Sequence, residues 1–532
     1  MRTGSKACAT APMEETAMFP PFANEPLTDF TIPANNDAYR QALSLVRRRL
    51  GGHWPLVING REVDTGRRLV SINPCKPAEI VGTAAAAGPA QVDEALDAAW
   101  RAFPDWAAHP ADARAASLVR LAAEMRRRKL ELAAWETLEA SKNWLEAVAD
   151  VAEAIDFCEY YARQALDFAK ALPVHQLPGE INQSWLQPLG AGAVIPPWNF
   201  PLAILVGMSV GPAAAGNTVV IKPSSYTPVT GALFMELAAA AGLPPGVINL
   251  IPGKGDEVGE YLVDHAKTRF INFTGSREVG VRLTARAAQV HPGQQWLKRA
   301  FTELGGKDAA VIDETADLDA AVPAVVTSAF GFQGQKCSAA SRLIVVKEVY
   351  DAVVERLVAA AQDIKVGPAE ENLPVAAVIS ETQHKMILNE IEKGKGEAKL
   401  AAGGRALNRD GGYFLEPTIF IDAAPDSRLA QHEIFGPVLA VIRAGDFEEA
   451  VRIFNGTEYV LTGGLFSRSR ERLERARREF DVGNLYLNRK ITGALVGVQP
   501  FGGFKMSGSN AKAGGPDYLR LFLEMKTVAE KL

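Results

Sequence analysis

The chain has 532 residues, 48% of them apolar, which is enough for about three domains of roughly 150 residues with buried cores. Its 57 Lys and Arg residues against 62 Asp and Glu residues give a net charge of −5, and a chain without a basic field is poorly suited to bind nucleic acid. Four scattered cysteines predict neither a disulfide framework nor a metal site. With no predicted membrane span or secretion signal, a cytoplasmic location is expected.

The N-terminal third of the chain is predicted to be mainly helical. Residues 1–37 are expected to form a poorly ordered arm, because prolines are frequent there and apolar residues have no period. Residues 54–63 predict two short strands joined by an Asn-Gly turn. Long amphipathic helices are predicted over residues 89–103, 111–139 and 143–168.

Two later regions alternate between strands and helices. Residues 190–273 contain short β-branched runs, such as NTVVIKPS, VINLIPG and RFINFTGS, separated by helical segments. This pattern is typical of parallel βαβ units and predicts a doubly wound α/β sheet that binds its ligand at the carboxyl ends of the strands. Residues 309–486 are long enough for a second α/β domain.

Cys337 is a candidate nucleophile. It lies in a glycine-rich loop beside Lys336, and a cation next to an accessible cysteine favours the thiolate. Taken alone, a single cysteine is more often a core residue, as we expect for Cys158 within a predicted helix.

Two polar residues in stiff surroundings are further candidates. Glu303 stands two residues before a pair of glycines, where a carboxylate can take a proton from water, although an ordinary exposed Glu is the alternative. Asn199 lies among prolines and aromatic residues, where its amide can stabilise an oxyanion or simply close a turn. The glycines of residues 253–259 and 275–280 each precede a helix where a phosphate can bind, but neither segment has the GxGxxG pattern.

Six motifs together resemble the NAD(P)-dependent aldehyde dehydrogenase family, and the match runs from about residue 55 to the C-terminus. They are PWNFP at 197–201, KPS at 222–224, FTGS at 273–276, ELGGK at 303–307, GQKCS at 334–338 and EIFGP at 433–437. The resemblance implies an α/β fold with a Rossmann-like NAD-binding domain, a catalytic α/β domain and a small β oligomerisation element, hence a homo-oligomer. The corresponding ranges are 38–169 with 189–303, 304–507, and 170–188 with 508–532.

The resemblance also assigns the chemistry. Cys337 is implied as the nucleophile, Glu303 as the general base, and Asn199 with the backbone amide of Cys337 as the oxyanion donors. Attack on an aldehyde gives an alkoxide, which loses hydride to leave a thioester, and an activated water hydrolyses that thioester. No metal is required.

The cofactor residues follow from the same motifs. Lys222 is implied to contact the adenine ribose, Ser276 the pyrophosphate, and Glu433 with Phe435 the nicotinamide ribose. Many NAD-preferring relatives have Glu at the position of Ser225, where a carboxylate repels a ribose 2′-phosphate, so we expect NAD with some use of NADP. The full set is Ile195, Pro196, Pro197, Trp198, Lys222, Ser225, Gly255, Gly259, Phe273, Thr274, Gly275, Ser276, Leu304, Glu433 and Phe435.

The substrate is implied by residues 138–162, 488–508 and 510–519, which are similar to the branch of the family that oxidises L-glutamate γ-semialdehyde in proline degradation. This aldehyde forms when the ring of 1-pyrroline-5-carboxylate opens. The implied contacts are Ser338 and the amides of Gly493 and Ala494 for the carboxylate, Lys336 nearby, Glu139 oriented toward this loop or the lysine, and Phe200 and Phe501 as walls. The alternatives are another semialdehyde such as succinate semialdehyde, a cysteine-dependent acyl hydrolase, and a nucleotide-binding protein that has lost activity.

Overall fold

The computed structural model describes residues 19–532, so Cys8 and the first half of the predicted N-terminal arm lie outside the described residues. For the described half the prediction of poor order is wrong, because residues 20–25 make hydrogen bonds and ion pairs to the helices and residues 33–37 belong to the first helix. Helices occupy fifteen segments of the described chain: α1 (Pro33–Arg47), α2 (Pro89–Ala108), α3 (Ala111–Arg127), α4 (Lys129–Glu139), α5 (Trp144–Phe168), α6 (Ala203–Ala214), α7 (Pro228–Ala240), α8 (Glu260–Asp264), α9 (Arg277–Ala287), α10 (Leu318–Phe330), α11 (Tyr350–Gln362), α12 (Glu381–Gly394), α13 (Arg428–Gln431), α14 (Phe447–Asn455) and α15 (Arg470–Glu479).

The strands within residues 19–532 are β1 (Gly52–Trp54), β2 (Leu56–Ile58), β3 (Arg61–Val63), β4 (Arg68–Asn73), β5 (Lys76–Ala85), β6 (Glu180–Pro188), β7 (Ala191–Ile195), β8 (Thr218–Ile221), β9 (Ile248–Leu250), β10 (Phe270–Thr274), β11 (Arg299–Glu303), β12 (Asp308–Ile312), β13 (Ala340–Val346), β14 (Lys399–Ala402), β15 (Ala406–Leu407), β16 (Phe414–Leu415), β17 (Thr418–Ile421), β18 (Val438–Ala444), β19 (Tyr459–Val460), β20 (Thr462–Phe466), β21 (Asn484–Leu487), β22 (Phe504–Lys505) and β23 (Leu523–Lys531).

Local signals account for several of these elements. Asn59 and Gly60 have φ of 53° and 70° and join β2 to β3, which confirms the predicted turn, because this tight hairpin turn needs positive φ at both positions. Asn143 caps α5 by accepting a hydrogen bond from the amide of Glu146. The single helix predicted over residues 111–139 is wrong: Arg128 has φ of −104° and ψ of 15°, and it separates α3 from α4.

A seven-stranded sheet carries the order β11-β10-β7-β8-β9-β2-β3. Its first five strands are parallel, and β2 and β3 continue it in antiparallel pairing. The chain runs from β7 outward to β8 and β9, then returns to place β10 on the other side of β7. This confirms the predicted doubly wound sheet, whose crevice for ligands lies between the carboxyl ends of β7 and β10.

A second seven-stranded sheet has the order β14-β17-β18-β13-β12-β20-β21 and is parallel except for β14. The chain passes from the first sheet to the second through residues 304–307, which link β11 to β12. Because β13 begins just after Cys337, the amino end of this strand approaches the carboxyl edge of the first sheet.

The largest core lies on the face of the first sheet that carries α6, and there α5 packs on α3, α4 and α6. Helix α6 consists of small and apolar residues and is buried almost all round, as its uniform hydrophobicity requires. Among residues 19–532, no helix is both long enough and apolar enough to span a membrane.

A separate two-stranded ribbon joins β6 to β23 in antiparallel register from Leu523 opposite Pro188 to Lys531 opposite Glu180. Exposed apolar side chains lie on both of its faces, Ile181 and Val528 on one face and Met525 on the other.

Candidate active site

A cavity of about 520 Å³ opens at the carboxyl edge of the first sheet. It lies at the ends of β7, β8, β10 and β11, which is the crevice expected in a doubly wound sheet. Its volume falls within the range of roughly 300–1,000 Å³ of small-molecule sites.

The cavity collects residues that are far apart in the sequence. Cys337 and Asn199 both line it. All fifteen residues that the resemblance implied for the cofactor line it as well: Ile195, Pro196, Pro197, Trp198, Lys222, Ser225, Gly255, Gly259, Phe273, Thr274, Gly275, Ser276, Leu304, Glu433 and Phe435.

The loop before Cys337 has an unusual backbone. Phe332, Gln333 and Gly334 have φ of 50°, 58° and 66°, a left-handed run that is costly for the two residues with side chains. The side chain of Gln333 offsets part of this cost, because its Nε2 donates to the backbone oxygens of Ser141 at 3.1 Å and Ala377 at 2.8 Å. The backbone that presents Cys337 is therefore held by contacts from outside the loop.

The Cys337 thiol is neutral in this environment. Burial raises its pKa far above the ordinary value, and the nearby carboxyl groups of Asp308, Glu433 and Glu303 raise it further. The expectation that Lys336 favours the thiolate is wrong, because the Lys336 ammonium is paired with Glu146 at 2.7 Å. A proton acceptor must therefore take the thiol proton during the reaction.

Asn199 is placed beside this loop. Its side chain is buried, and its Nδ2 donates to the backbone oxygen of Gln335 at 3.0 Å. The amide is thus fixed two residues from Cys337, where a donor for an oxyanion is needed.

Glu303 ends β11 and points toward two backbone amides. Its Oε1 accepts from the amide of Ala511 at 2.9 Å, and its Oε2 accepts from the amide of Gly503 at 3.2 Å. Burial raises the pKa of Glu303 to about 8 even though both amides and the Lys512 charge oppose the shift. Its carboxyl group is a base whose proton affinity suits a reaction near neutral pH.

Two glycines after Glu303 permit a close approach of chain segments. A Cβ on Gly305 would overlap the carboxylate of Glu433, and a Cβ on Gly306 would overlap Asp308 and the backbone oxygen of Cys337. At Gly306 one of the overlapping atoms is backbone, so only glycine fits there; at Gly305 a side chain would displace the Glu433 carboxylate. The amide of Gly306 donates to Glu433 at 3.1 Å.

Lys222 and Glu433 supply polar groups to the cavity. Lys222 Nζ donates to the backbone oxygens of Pro223 and Gly253, and burial lowers its pKa to about 8. Glu433 Oε1 accepts from Gly306, while its Oε2 accepts no hydrogen bond from the described residues. Burial raises the pKa of Glu433 to about 7. A donor and an acceptor of this kind suit the hydroxyl groups of two riboses, so the residues present fit a dinucleotide.

The prediction that Glu139 is oriented toward the substrate loop or toward Lys336 is wrong. It is wholly buried, and its oxygens accept from Ser71, from the amide of Val229, and from both the amide and hydroxyl of Thr230. Glu139 holds the beginning of α7 instead of contacting Lys336. The carboxylate that pairs with Lys336 comes from Glu146, one turn into α5, a partner that no sequence signal distinguished.

The remaining predicted substrate residues come from three different parts of the chain. Ser338 is buried and its backbone oxygen accepts from Thr462. Phe200 and Phe501 are half-buried, and Gly493, with φ of 76°, and Ala494 belong to an irregular segment after β21. These residues are outside the lining of the large cavity.

No sequence pattern pointed to Lys142, which contacts the loop after β7 and the loop before Cys337. Its Nζ is 4.3 Å from the ring centroid of Phe200 and 4.7 Å from that of Phe332. The ammonium is fully buried and paired with Asp150 at 2.6 Å. A lysine within a helix-rich region gives no sign in the sequence that it contacts two distant aromatic rings.

The acyl hydrolase alternative needs a histidine on the thiol. His432 lines the same cavity, but no histidine among the described residues makes a hydrogen bond to Cys337.

Comparisons with known proteins agree with these observations. A family model described as the aldehyde dehydrogenase family matches residues 61–528. The chain is 52% identical to the 1-pyrroline-5-carboxylate dehydrogenase of Geobacillus kaustophilus over 514 residues, 96% of this chain and 100% of the relative. It is 50% identical to the enzyme of the same name from Bacillus subtilis over 510 residues, 96% of this chain and 99% of the relative.

Among solved structures, that of 1-pyrroline-5-carboxylate dehydrogenase from Thermus with bound NAD superposes with a TM-score of 0.96 at 56% identity, covering 97% of this chain and 100% of that one. The resemblance that the six motifs suggested is confirmed. Because the family model spans most of its length, the chain belongs to the aldehyde dehydrogenase family.

Proposed function

We propose that this chain is an NAD-dependent dehydrogenase that oxidises L-glutamate γ-semialdehyde to L-glutamate. The observation that carries the proposal is the single cavity that holds Cys337, Asn199 and every residue implied for the cofactor. The relatives named 1-pyrroline-5-carboxylate dehydrogenase, and the bound NAD of the Thermus structure, support the substrate and the cofactor.

In the proposed reaction, the Cys337 thiol gives its proton to a solvent water molecule, and Sγ attacks the aldehyde carbon. The oxyanion that forms accepts hydrogen bonds from Asn199 Nδ2 and from the backbone amide of Cys337. NAD, when bound, supplies the two-electron acceptor for the oxidation of that carbon. The oxidised product remains attached to Cys337 as a thioester.

Glu303 then completes the turnover. Its carboxylate takes a proton from water, the water oxygen bonds to the thioester carbon, and the carbon–sulfur bond breaks to release the carboxylate product. Each Glu303 oxygen accepts one backbone amide in this structure, from Gly503 or from Ala511, and keeps a further lone pair for the water proton.

For substrate selection, we propose that the amides of Gly493 and Ala494 and the Ser338 hydroxyl bind the α-carboxylate. Consecutive backbone amides in a glycine-containing turn make a concavity for an anion. The rings of Phe200 and Phe501 supply apolar contacts for the aliphatic carbons.

The two seven-stranded sheets support a division into an NAD-binding part, residues 38–169 and 189–303, and a catalytic part, residues 304–507. We propose that the ribbon of β6 and β23 mediates homo-oligomerisation, because its exposed apolar side chains need a cover. Light scattering coupled to size-exclusion chromatography tests this, and a monomer would contradict it. A reducing, cytoplasmic location is proposed on the free thiols of Cys75, Cys158 and Cys337.

Steady-state kinetics of the purified protein test the proposed function. We expect kcat/KM with NAD to be higher for L-glutamate γ-semialdehyde than for succinate semialdehyde, which lacks the α-ammonium group. The reverse order would assign the chain to another semialdehyde. Turnover of an acyl ester without any dinucleotide would favour the hydrolase alternative.

A further inference from the structure

The segment that follows β21 contains the proposed carboxylate site and has little regular structure of its own. Residues 491–500 form neither a helix nor a strand, and both Gly493 and Gly497 have positive φ, of 76° and 75°. We call residues 493–498 the anchor loop. The amides of Leu495, Gly497 and Val498 donate to Gln499 Oε1, to the backbone oxygen of Gly514 and to that of Leu495. The rest of the loop's shape depends on the residues packed against it.

The N-terminal segment contacts this loop directly. Asn24 Nδ2 donates to the backbone oxygen of Val496 at 3.0 Å and to Asp156 Oδ2 at 2.7 Å. The amide of Glu25 donates to the other oxygen of Asp156 at 2.6 Å. Asp156 is buried within α5, so a single side-chain amide ties the anchor loop to a rigid helix.

Phe22 adds a packing contact at the next residue of the loop. Its ring lies edge-on to Tyr160 of α5, with centroids 5.2 Å apart. A Cβ placed on Gly497 would lie 2.9 Å from the Phe22 ring and 3.1 Å from the Tyr160 ring. The anchor loop thus packs against both rings as closely as a glycine allows.

The N-terminal segment is itself fixed to the helices. Glu25 is paired with Arg126 at 2.7 Å and with Lys129 at 3.1 Å, and its side chain is only 9% exposed. Arg163 donates to the backbone oxygen of Pro20 at 2.9 Å. Residues 19–26 therefore form a fixed brace between α5 and the anchor loop.

We propose that residues 19–26 position the anchor loop for the substrate carboxylate, and that Asn24 is a positioning residue for substrate binding. The inference rests on the proposed function, in which the amides of Gly493 and Ala494 bind that carboxylate. Asn24 acts through Val496, two residues beyond Ala494, and takes no part in the chemistry at Cys337. Its loss weakens binding of the ground state and the transition state alike, so KM rises while kcat is retained.

The test compares Asn24→Ala with Asn36→Ala in the full chain. Asn36 is the matched control, because its amide donates to the backbone oxygen of Phe30 and lies outside the anchor loop. We expect the Asn24→Ala protein to raise KM for L-glutamate γ-semialdehyde between about twofold and tenfold, the factor that one hydrogen bond is worth, with kcat unchanged. KM for propanal, which has no carboxylate, should not move in either variant.

A second variant, Phe22→Ala, removes the packing contact. It should also raise KM for the semialdehyde while leaving KM for propanal unchanged. If Asn24→Ala and Phe22→Ala leave KM for the semialdehyde unchanged, or raise it equally for propanal, the inference is wrong. Failure of the unmodified protein to oxidise the semialdehyde is a different outcome, which overturns the proposed function first. Thermal unfolding of all proteins separates a local change from general destabilisation.

Discussion

Asn199 Nδ2 donates to the backbone oxygen of Gln335 at 3.0 Å, so one side-chain amide joins the loop after β7 to the loop of Cys337. A carboxamide has two N–H hydrogens, and this bond uses one of them. The second is left for an oxyanion on a carbon attached to Cys337. The same contact that fixes the two loops therefore also orients the proposed oxyanion donor.

The first prediction concerns this donor. We expect Asn199→Ala to lower kcat about 10²- to 10³-fold, the usual loss when one oxyanion donor is removed. Titration calorimetry should show that NAD binds with little change, because the side chain is assigned to the aldehyde. A loss of less than about tenfold would mean that the backbone amide of Cys337 holds the oxyanion alone.

The second prediction concerns the pH dependence of turnover. Burial raises the pKa of Glu303 to about 8, so the carboxyl group is protonated below this pH and cannot accept a proton from water. Where thioester hydrolysis limits the rate, kcat should rise about tenfold per pH unit and level off above about pH 8.

Glu303→Gln is the matched control for that profile. It should give a low and flat kcat while the first turnover still releases a burst of reduced cofactor, because the thiol chemistry precedes hydrolysis. A Glu303→Gln protein with the same rise toward pH 8 would assign the titration to another group.

The extent to which the sequence predicted this site depends on how local each signal is. The strand ends that form the cavity follow from alternating strands and helices, and the Asn59–Gly60 turn follows from two adjacent residues. The partner of Lys336 does not follow from any local signal. Glu146 and Glu139 both lie in the same helical region, and only tertiary packing decides which of them pairs with Lys336. The bond from Asn24 to Val496 spans 472 residues, a contact that no local pattern encodes.

The third prediction concerns Lys142, the buried cation that contacts Phe200 in the loop after β7 and Phe332 in the loop before Cys337. Lys142, Asp150 and Glu136 are all inaccessible to solvent. Although burial favours the neutral amine, the charge of Asp150 at 2.6 Å outweighs it and raises the pKa of Lys142, which is therefore an ammonium. Burial and the same Asp150 charge raise the pKa of Glu136 well above its ordinary value, so its carboxyl group is neutral. Lys142→Met leaves Asp150 without its counter-charge and should cost about 3–5 kcal/mol of the free energy of unfolding, measured with denaturant.

The double variant Lys142→Met, Asp150→Asn tests whether the unpaired charge is the cause. Asn can still accept the hydrogen bond that Asp150 receives from the amide of Ala203, so part of the lost stability should return. If the double variant is no more stable than Lys142→Met, the loss comes from packing against Phe200 and Phe332.

The last prediction concerns the choice of dinucleotide. Ser225 lines the cavity next to Lys222 and carries no charge, so nothing at this position repels a ribose 2′-phosphate. Ser225→Glu should lower kcat/KM for NADP about a hundredfold, because juxtaposed like charges cost several kcal/mol, and should leave NAD turnover nearly unchanged. Ser225→Gln introduces a side chain of nearly the same size as Glu but without its charge, and this variant should keep most of the NADP activity. If both substitutions lower NADP turnover equally, the size of the side chain decides the preference; if neither does, the 2′-phosphate lies away from this residue.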